Sequence, residues 1–466
     1  MLRSEKIGAS LRKLFIFGDK NMKKVLSLLV TIILLLSCTF AFAACDEPSD
    51  NGSGNGTQNL TGSIKVWWPG GSPTIEAAIY EAKEKYEAEH EGVTINIVTQ
   101  STSDFYASYN MALMGNDFPD VAYVDHVYVQ RLAFDGLIAN LSKLGVDADK
   151  DKYLPSLWNT TQYEDNTYAL PMSANVLAMA YNKALLSKVL GRAFTDDDYP
   201  VDWDSFTALG AKIDAYNKAN GLTGNDTLYL TTVPAGTGAE SMGAMFFMSY
   251  SAREGGTLMN KELTEMTINT AQNKSAAAKI KQLGENGYTP TNFSESKFET
   301  GKVAFIEMGP WKLIDYSRIS QANESCDICY GPVVPMTEGG ERLGALGLYS
   351  LVVTKKSSKQ ALAADFIRYV TGNDEIQLAH NTVQNLMPVT KTAIENEYYK
   401  SDEWKVFVEQ LQKVVARPGS AAWPAIQRSL AEFVTDLVAG NKNGYPDYLD
   451  AIKIQLDETI EDLEDE

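Results

Sequence analysis

Segments typical of strands and of helices alternate along the chain from residue 63 onward. Residues 63–68 alternate in polarity and run into Pro69, as a strand does before a turn. Residues 73–89 carry apolar side chains at spacings of three and four, which predicts an amphipathic helix. This order of elements favours an α/β fold with a largely parallel sheet. The same patterns predict further strands at 93–98, 121–124, 175–181, 303–308 and 349–353, and further helices at 103–114, 127–134, 203–218, 239–251 and 275–285.

The ends of the predicted strands are the first candidates for a binding site. In open α/β sheets, ligands bind where the carboxyl ends of the strands and their loops converge. Trp67 and Trp68 end the first predicted strand, and Asp125 and His126 follow the third. We therefore expect these side chains to lie near a cleft, and only one of the two tryptophans to face it.

The N-terminal residues have the pattern of an export signal. Met22 is the predicted start, because Lys23 and Lys24 precede an apolar run that extends through residue 44. Residues 1–21 are then either an upstream mis-start or a long basic leader. An apolar run of this length also permits a permanent membrane anchor, which is the alternative to cleavage.

The residues after the apolar run indicate how the chain is held at a membrane. Small residues precede Cys45 in the sequence FAAC, which resembles a bacterial lipobox, whose cysteine receives a lipid and becomes the mature N-terminus. Cys38 is a weaker second candidate. Residues 46–57 are rich in Gly, Ser and Asn, as a flexible tether is. We predict a lipoprotein anchored at Cys45 on the outer face of the cell membrane, with free secretion and an uncleaved anchor as alternatives.

The charge of the chain argues against a nucleic-acid partner. The formal net charge is −19, and residues 1–44 hold seven Lys and Arg against two Asp and Glu, so the remainder carries −24. Phosphate backbones select basic surfaces, which this chain does not offer. Three histidines and four cysteines are also few for a metal site, and no metal or cofactor is predicted. Cys326 and Cys329 form a lone CxxC, read as a local disulfide or two free thiols.

No motif in the sequence indicates catalysis. The chain contains no nucleophile elbow, no phosphate-binding loop and no HExxH helix. Paired carboxylates such as Asp202 and Asp204 arise by chance in an acidic chain, and a glycosidase needs a spacing across the bond that sequence cannot show. We therefore expect a protein that is not an enzyme.

The positions of the tryptophans suggest carbohydrate binding. Sugars lay their C–H faces on aromatic rings, and their hydroxyl groups pair with carboxylate, amide or guanidinium groups. Trp311 follows a predicted strand, and Trp423 lies between two prolines, so both are expected at a cleft. Trp158, Trp203 and Trp404 lie in helical patterns and are expected in the core.

Several motifs then show a resemblance to a known family. Residues 301–311 read GKVAFIEMGPW, which is similar to a segment of the family 1 extracellular solute-binding proteins, the maltose-binding-protein-like sugar receptors of ABC importers. Residues 118–121 (FPDV), 181–183 (YNK) and 202–206 (DWDSF) resemble other motifs of that family. These motifs occur in the expected order from residue 63 to the C-terminus.

The resemblance implies a two-lobe periplasmic-binding-protein-like fold with crossing hinge strands and a helix-rich C-terminal part. It places crossings near Pro171, near residues 341–344 and near Pro388. The implied organisation is a signal region at 1–44, a tether at 45–62, lobe 1 at 63–171 and 341–388, and lobe 2 at 172–340 and 389–466.

The resemblance also implies a set of ligand-binding residues and a partner. A departure from sugar receptors is Val124 and Val127, where those proteins often place aromatic or polar contacts. The implied partners are a carbohydrate ligand, the permease subunits of an ABC transporter, and the membrane through the lipid. The predicted ligand-binding residues are Trp67, Trp68, Asp125, Asn175, Glu240, Trp311, Tyr349, Arg417 and Trp423.

The expected function is the capture of a mono- or oligosaccharide by hinge closure and its delivery to an ABC permease. Two alternatives remain open on the sequence alone. One is a secreted carbohydrate-active enzyme, and the other is a receptor of the same fold for a non-sugar solute, such as a polyamine or a phosphate ester.

Overall fold

The computed structural model describes residues 60–71, 73–100, 105–115 and 117–464. The predicted signal region, the predicted lipid-attachment residue Cys45 and the predicted tether up to residue 59 lie outside these residues. The strands are β1 Gly62–Pro69, β2 Val93–Gln100, β3 Val121–Asp125, β4 Gln162–Tyr163, β5 Asn166–Thr167, β6 Ala169–Val176, β7 Ala178–Asn182, β8 Tyr229–Thr231, β9 Val303–Met308, β10 Ile328–Gly331, β11 Gly344–Val353 and β12 Val414–Val415.

The helices confirm most of the segments predicted from periodicity. In α1 the buried side chains Ala78, Ile79, Ala82 and Tyr86 recur at the predicted spacing. The helices are α1 Pro73–Glu89, α2 Phe105–Met114, α3 Val129–Phe134, α4 Pro155–Trp158, α5 Lys183–Leu190, α6 Trp203–Asn220, α7 Glu240–Arg253, α8 Ala271–Glu285, α9 Glu295–Glu299, α10 Leu313–Ala322, α11 Gln360–Gly372, α12 Asp374–Thr382, α13 Asp402–Gln410, α14 Trp423–Ala439 and α15 Leu449–Glu464. The helix-rich C-terminal part is therefore confirmed.

The first sheet has six strands and is only partly parallel. Its order is β12-β11-β3-β1-β2, with β6 paired to β11 as well. Strand β1 is parallel to β2 and β3, as predicted. Strand β11 returns from the distant part of the chain and pairs antiparallel with β3 and β6. This long-range pairing has no signal in local periodicity.

The second sheet has four strands, in the order β10-β7-β9-β8. Strands β8 and β9 are parallel, whereas β7 is antiparallel to both β9 and β10. Residues 175–181, predicted as one extended run, are divided between the sheets. Strand β6 ends at Val176 in the first sheet, β7 begins at Ala178 in the second, and Leu177 alone joins them.

Separate hydrophobic cores lie beside the two sheets. Helices α1 and α11 contribute apolar side chains to the first core, and α6, α7, α8 and α14 contribute to the second. Apolar side chains of residues 389–411 also pack in the first core, so the predicted start of lobe 2 at residue 389 is not reflected in the packing. The lobe boundaries remain a prediction.

Within the parts of the chain that the structure describes, no helix is both long enough and apolar enough to span a bilayer.

A buried ion pair ties α7 to the second sheet. The Arg253 guanidinium donates to the Glu307 carboxylate on β9 at 2.7 Å, and the two side chains are 1% and 3% exposed. A second guanidinium nitrogen donates to the carbonyl of Val334 at 2.8 Å. The Arg253 guanidinium also lies 4.4 Å from the ring centroid of Tyr250. Removal of either partner would therefore leave a buried charge without its counter-ion.

We predict that Glu307→Ala lowers the free energy of unfolding by about 3–5 kcal/mol, because Arg253 then stays buried and unpaired. Asp214→Ala, which breaks the exposed pair with Lys218, should cost at most about 1 kcal/mol. Urea unfolding of both variants measures the difference. Equal losses would contradict the prediction, and the double change Arg253→Met with Glu307→Leu should recover much of the stability.

Candidate functional site

A cavity of about 460 Å³ lies where residues from both cores meet. The first sheet and its loops supply one wall, and α7 with the turn before α10 supplies the other. Its size is within the range of small-molecule sites. The lining residues are Pro69, Gly70, Ile75, Tyr123, Asp125, Asn175, Ser241, Met242, Met245, Trp311, Gly347, Leu348, Tyr349, Gln384, Leu386 and Arg417.

The strand register explains why residues distant in sequence meet at this cavity. Tyr349 on β11 is paired with Asp125 on β3, and Gly347 on β11 is paired with Asn175 on β6. Strand β12 pairs with the start of β11, which brings Arg417 close to the same place two residues later. The cavity lies at the carboxyl ends of β1 and β3, as expected for an α/β sheet.

An ion pair lies in the first-sheet wall of the cavity. The Arg417 Nη2 donates to Asp125 Oδ1 at 2.7 Å, and the two side chains are 4% and 26% exposed. Burial by itself would raise the pKa of Asp125. The Arg417 guanidinium and the hydrogen bond from His126 outweigh burial and lower the pKa of Asp125 to about 2. The carboxylate is therefore ionised at neutral pH.

His126 is buried and contacts this ion pair. Its side chain is 2% exposed, and Nδ1 lies 3.0 Å from the Leu348 carbonyl and 3.1 Å from Asp125 Oδ1. Burial and the nearby Arg417 charge lower the pKa of His126, so the ring is neutral. With Nδ1–H as the donor, the ring fixes the Asp125 carboxylate. His126 does not line the cavity.

Aromatic rings form parts of both walls. Tyr349 stacks on Tyr123, with ring centroids 5.2 Å apart and an interplanar angle of 25°. On the opposite wall Trp311 follows Pro310 in a short 3-10 turn and is half-buried. Aromatic rings and the polar side chains of Asp125 and Asn175 therefore line the same cavity.

Five predicted site residues line the cavity, and four others do not enter its described lining. Trp67 and Trp68 are 8% and 0% exposed, because β1 lies between β2 and β3 and both faces of this strand are covered. Trp68 packs against Tyr123 and His380 instead. The expectation that one tryptophan of this pair faces a cleft is therefore not met in this structure.

Trp423 is also in a core rather than at the cavity. It is 1% exposed, begins α14, and packs in the apolar stripe of that helix against the second core. Its indole N–H donates to Gln427 Oε1 at 3.2 Å. The expected platform role of Trp423 is corrected accordingly. Glu240 begins α7, but its side chain lies outside what the structure describes, as does Cys45.

Most of the α7 wall and the residues after α12 were not predicted as site residues from the sequence. Met242 and Met245 are three residues apart in a predicted helix, so they share a face, and that spacing was the available signal. Gln384 and Leu386 flank Asn385, which has a left-handed backbone with φ of 50°. No local pattern predicts that this turn borders a cavity.

The described residues contain neither a group of possible metal ligands nor a bridge between Cys326 and Cys329. Across them, no three His, Cys, Asp or Glu side chains are grouped to hold a metal ion. Cys326 and Cys329 are unbridged, and burial raises the pKa of both thiols. Of the two possibilities for this CxxC, the structure has the free thiols.

Two α/β lobes with a cavity between their cores define the class of two-lobe solute receptors. Residues 81–406 match the model of the bacterial extracellular solute-binding proteins. The chain belongs to this family, which confirms the predicted resemblance. The family and the solved structures that resemble this chain are binding proteins.

Named relatives cover most of the chain. The maltooligosaccharide ABC transporter solute-binding lipoprotein of Streptococcus pneumoniae is 24% identical over 434 residues, covering 92% of this chain and 95% of that protein. The cyclic α-maltosyl-1,6-maltose binding protein of Arthrobacter globiformis has a TM-score of 0.74 at 21% identity, covering 86% of this chain and all of that one. UgpB of Mycobacterium tuberculosis, in complex with glycerophosphocholine, has a TM-score of 0.68 at 18% identity, covering 87% of this chain and 99% of that one.

The lowered pKa of Asp125 predicts an acid-dependent contribution to stability. Its pKa falls from 3.8 to about 2 on folding, so the contribution is complete above the unfolded value and is lost as the pH drops to the folded one. Asp125→Asn should therefore lose about 2 kcal/mol less than the parent between about pH 4 and pH 2. Urea unfolding at stepped pH measures this. Equal losses in both proteins would refute it, with Asp214→Asn as the control for one fewer carboxylate.

Proposed function

We propose that the protein is an extracytoplasmic receptor that captures a mono- or oligosaccharide in this cavity and delivers it to an ABC permease. The ligand contacts in this proposal are Asp125, Asn175, Trp311, Tyr349 and Arg417. Trp311 supplies a stacking surface from one core. The other four supply polar and aromatic contacts from the first sheet.

The charge balance of the cavity is the observation that carries the proposal. Among the described lining side chains, the charged groups are Asp125 and Arg417, and they neutralise each other. A polyamine would need unpaired carboxylates, and a phosphate ester would need unpaired cationic groups. A neutral ligand rich in hydroxyl groups fits best. The paired Asp125 carboxylate and Arg417 guanidinium can still accept and donate further hydrogen bonds to such a ligand.

The mixed lining supports a sugar in particular. Trp311 and Tyr349 offer ring faces to C–H groups, and Asn175 offers both a donor and an acceptor to hydroxyl groups. Met242 and Met245 add flexible apolar surface that adapts to the ligand. The carbohydrate names of the streptococcal and Arthrobacter relatives point in the same direction.

Hinge closure is the proposed mechanism. A ligand that contacts both walls stabilises the closed form, because that form alone completes the site. Trp311 belongs to one wall and Asn175 to the other, so either half alone offers only part of the contacts. The closed form, with its ligand, is then the species that a permease receives.

A non-sugar solute is the second candidate function. It is favoured by one observation, the fold similarity to UgpB, whose structure contains glycerophosphocholine. A secreted carbohydrate-active enzyme has no such support, because the sequence lacks a catalytic motif and the family consists of binding proteins.

We predict that Trp311→Ala weakens sugar binding by about 1–3 kcal/mol, because it removes the proposed stacking surface from one wall of the cavity. Trp423→Phe is the matched control and should leave the affinity within about twofold, since Trp423 packs in the core. Calorimetric titration of maltotriose and a panel of mono- and oligosaccharides measures both effects.

The same titrations separate the candidate functions. Saturable binding of a sugar with no release of reducing ends supports the receptor, whereas turnover would support the enzyme. Binding of glycerophosphocholine in place of every sugar would support the second candidate. An unchanged affinity in Trp311→Ala would contradict the assignment of the cavity.

The proposed location is the outer face of the cell membrane, through a lipid on Cys45. We predict that Cys45→Ala, expressed in a lipidating bacterial host, carries no lipid, because the acyl chains have no thiol at residue 45 to attach to. Cys38→Ala is the control and should keep a lipid-modified N-terminus at Cys45. Mass spectrometry of the N-terminus measures the outcome, and a lipid-modified Cys45→Ala protein would contradict the prediction.

A further inference from the structure

Gly309 lies directly beneath the ring of Trp311. Its backbone is extended, with φ of −91° and ψ of 173°, a conformation that any residue adopts. Backbone freedom therefore does not explain a glycine here. A Cβ added at Gly309 would overlap the six-membered ring of Trp311, so the missing side chain is the space in which the indole lies.

Gly347 has the same relation to Asn175 on the opposite wall. The two residues are cross-strand partners on β11 and β6. A Cβ added at Gly347 would overlap the carboxamide of Asn175, and the backbone of Gly347 is not in the left-handed region. Both glycines are thus explained by the side chain that lies on them, and both side chains line the cavity.

We propose that Gly309 and Gly347 are positioning residues for ligand recognition. Because neither has a side chain, each leaves the space in which one ligand-contacting group packs, and so holds that group in place. The proposal rests on the proposed function, because that function supplies the ligand that Trp311 and Asn175 would contact. Trp311 is set from the side of the second core, and Asn175 from the first sheet. Each glycine therefore sets the position of one ligand-contacting group within its own wall.

The position of each ligand-contacting group affects binding for geometric reasons. Stacking needs the face of a ring to be parallel to the sugar, and an amide binds hydroxyl groups only over a narrow range of angles. Binding groups held about 1 Å out of place lose much of their contribution. A methyl group at residue 309 would tilt or lift the indole, although it touches no ligand itself.

Gly331 offers a matched control outside the cavity. A Cβ at Gly331 would meet the ring of Tyr199 at 2.6–2.7 Å, so this glycine also lies beneath an aromatic ring. Neither Gly331 nor Tyr199 lines the cavity. Gly331→Ala should therefore also displace an aromatic ring, by less than Gly309→Ala does, without an effect on ligand affinity.

The first test needs no ligand. The protein is labelled with 5-fluorotryptophan, and its seven tryptophan signals are followed by ¹⁹F NMR, with Trp311 assigned through Trp311→Phe. Gly309→Ala should shift the Trp311 signal and leave the others in place, whereas Gly331→Ala should leave the Trp311 signal unchanged. An unmoved Trp311 signal in Gly309→Ala would overturn the proposal.

The second test is a double-mutant cycle of sugar affinity. Gly309→Ala should weaken binding of the tightest sugar of the panel roughly 10- to 100-fold, and it should have less than about a twofold effect when Trp311 is already alanine. Additive losses would overturn the positioning role. Gly347→Ala is tested in the same way against Asn175→Ala.

The two tests distinguish failure of this proposal from failure of the proposed function. If the parent protein binds no sugar, the proposed function fails, and the NMR signals alone decide whether Gly309 positions the indole of Trp311. If the parent protein binds a sugar and Gly309→Ala binds it with the same affinity, the positioning role fails and the proposed function stands.

Discussion

The hydrogen-bonded register of β11 is the constraint on which the candidate site depends. This strand pairs with β3, β6 and β12, and so collects residues from four distant parts of the chain. Tyr349 lies opposite Asp125, and Gly347 lies opposite Asn175. Because successive side chains of a strand point to opposite faces, a slip by one residue would turn these groups away from the cavity. The ion pair of Asp125 with Arg417 then fixes the free end of β12 against β3.

The sequence predicted the elements well because their causes are local. The spacing of apolar residues that are close in sequence predicts the apolar stripe of α1 and the alternation of polar and apolar side chains in β1. The antiparallel return of β11 and the break at Leu177 depend on partners far along the chain, so no local pattern contains them. The same division holds at the site. Asp125 follows a strand that periodicity identifies, whereas Gln384 reaches the cavity only through the tertiary fold.

The tryptophans show why position within an element does not settle exposure. Trp68 lies at the end of β1 and Trp311 lies three residues after the end of β9, yet Trp68 is fully buried and Trp311 lines the cavity. Strand β1 is central in its sheet and covered on both faces, whereas the chain turns away from its sheet directly after β9. Trp423 begins a helix whose apolar stripe continues through its first turn, so its ring is drawn into the core. Neighbouring strands and helices decide these outcomes.

The single residue between β6 and β7 limits how the two sheets can move. Leu177 contributes one pair of soft dihedral angles, and its amide is held by the Ala345 carbonyl at 3.0 Å. A linker this short allows a swivel about a nearly fixed point but no sliding of one sheet past the other. Each closure of the proposed hinge would therefore return Trp311 and Asn175 to the same relative position, which makes capture repeatable without any further alignment device.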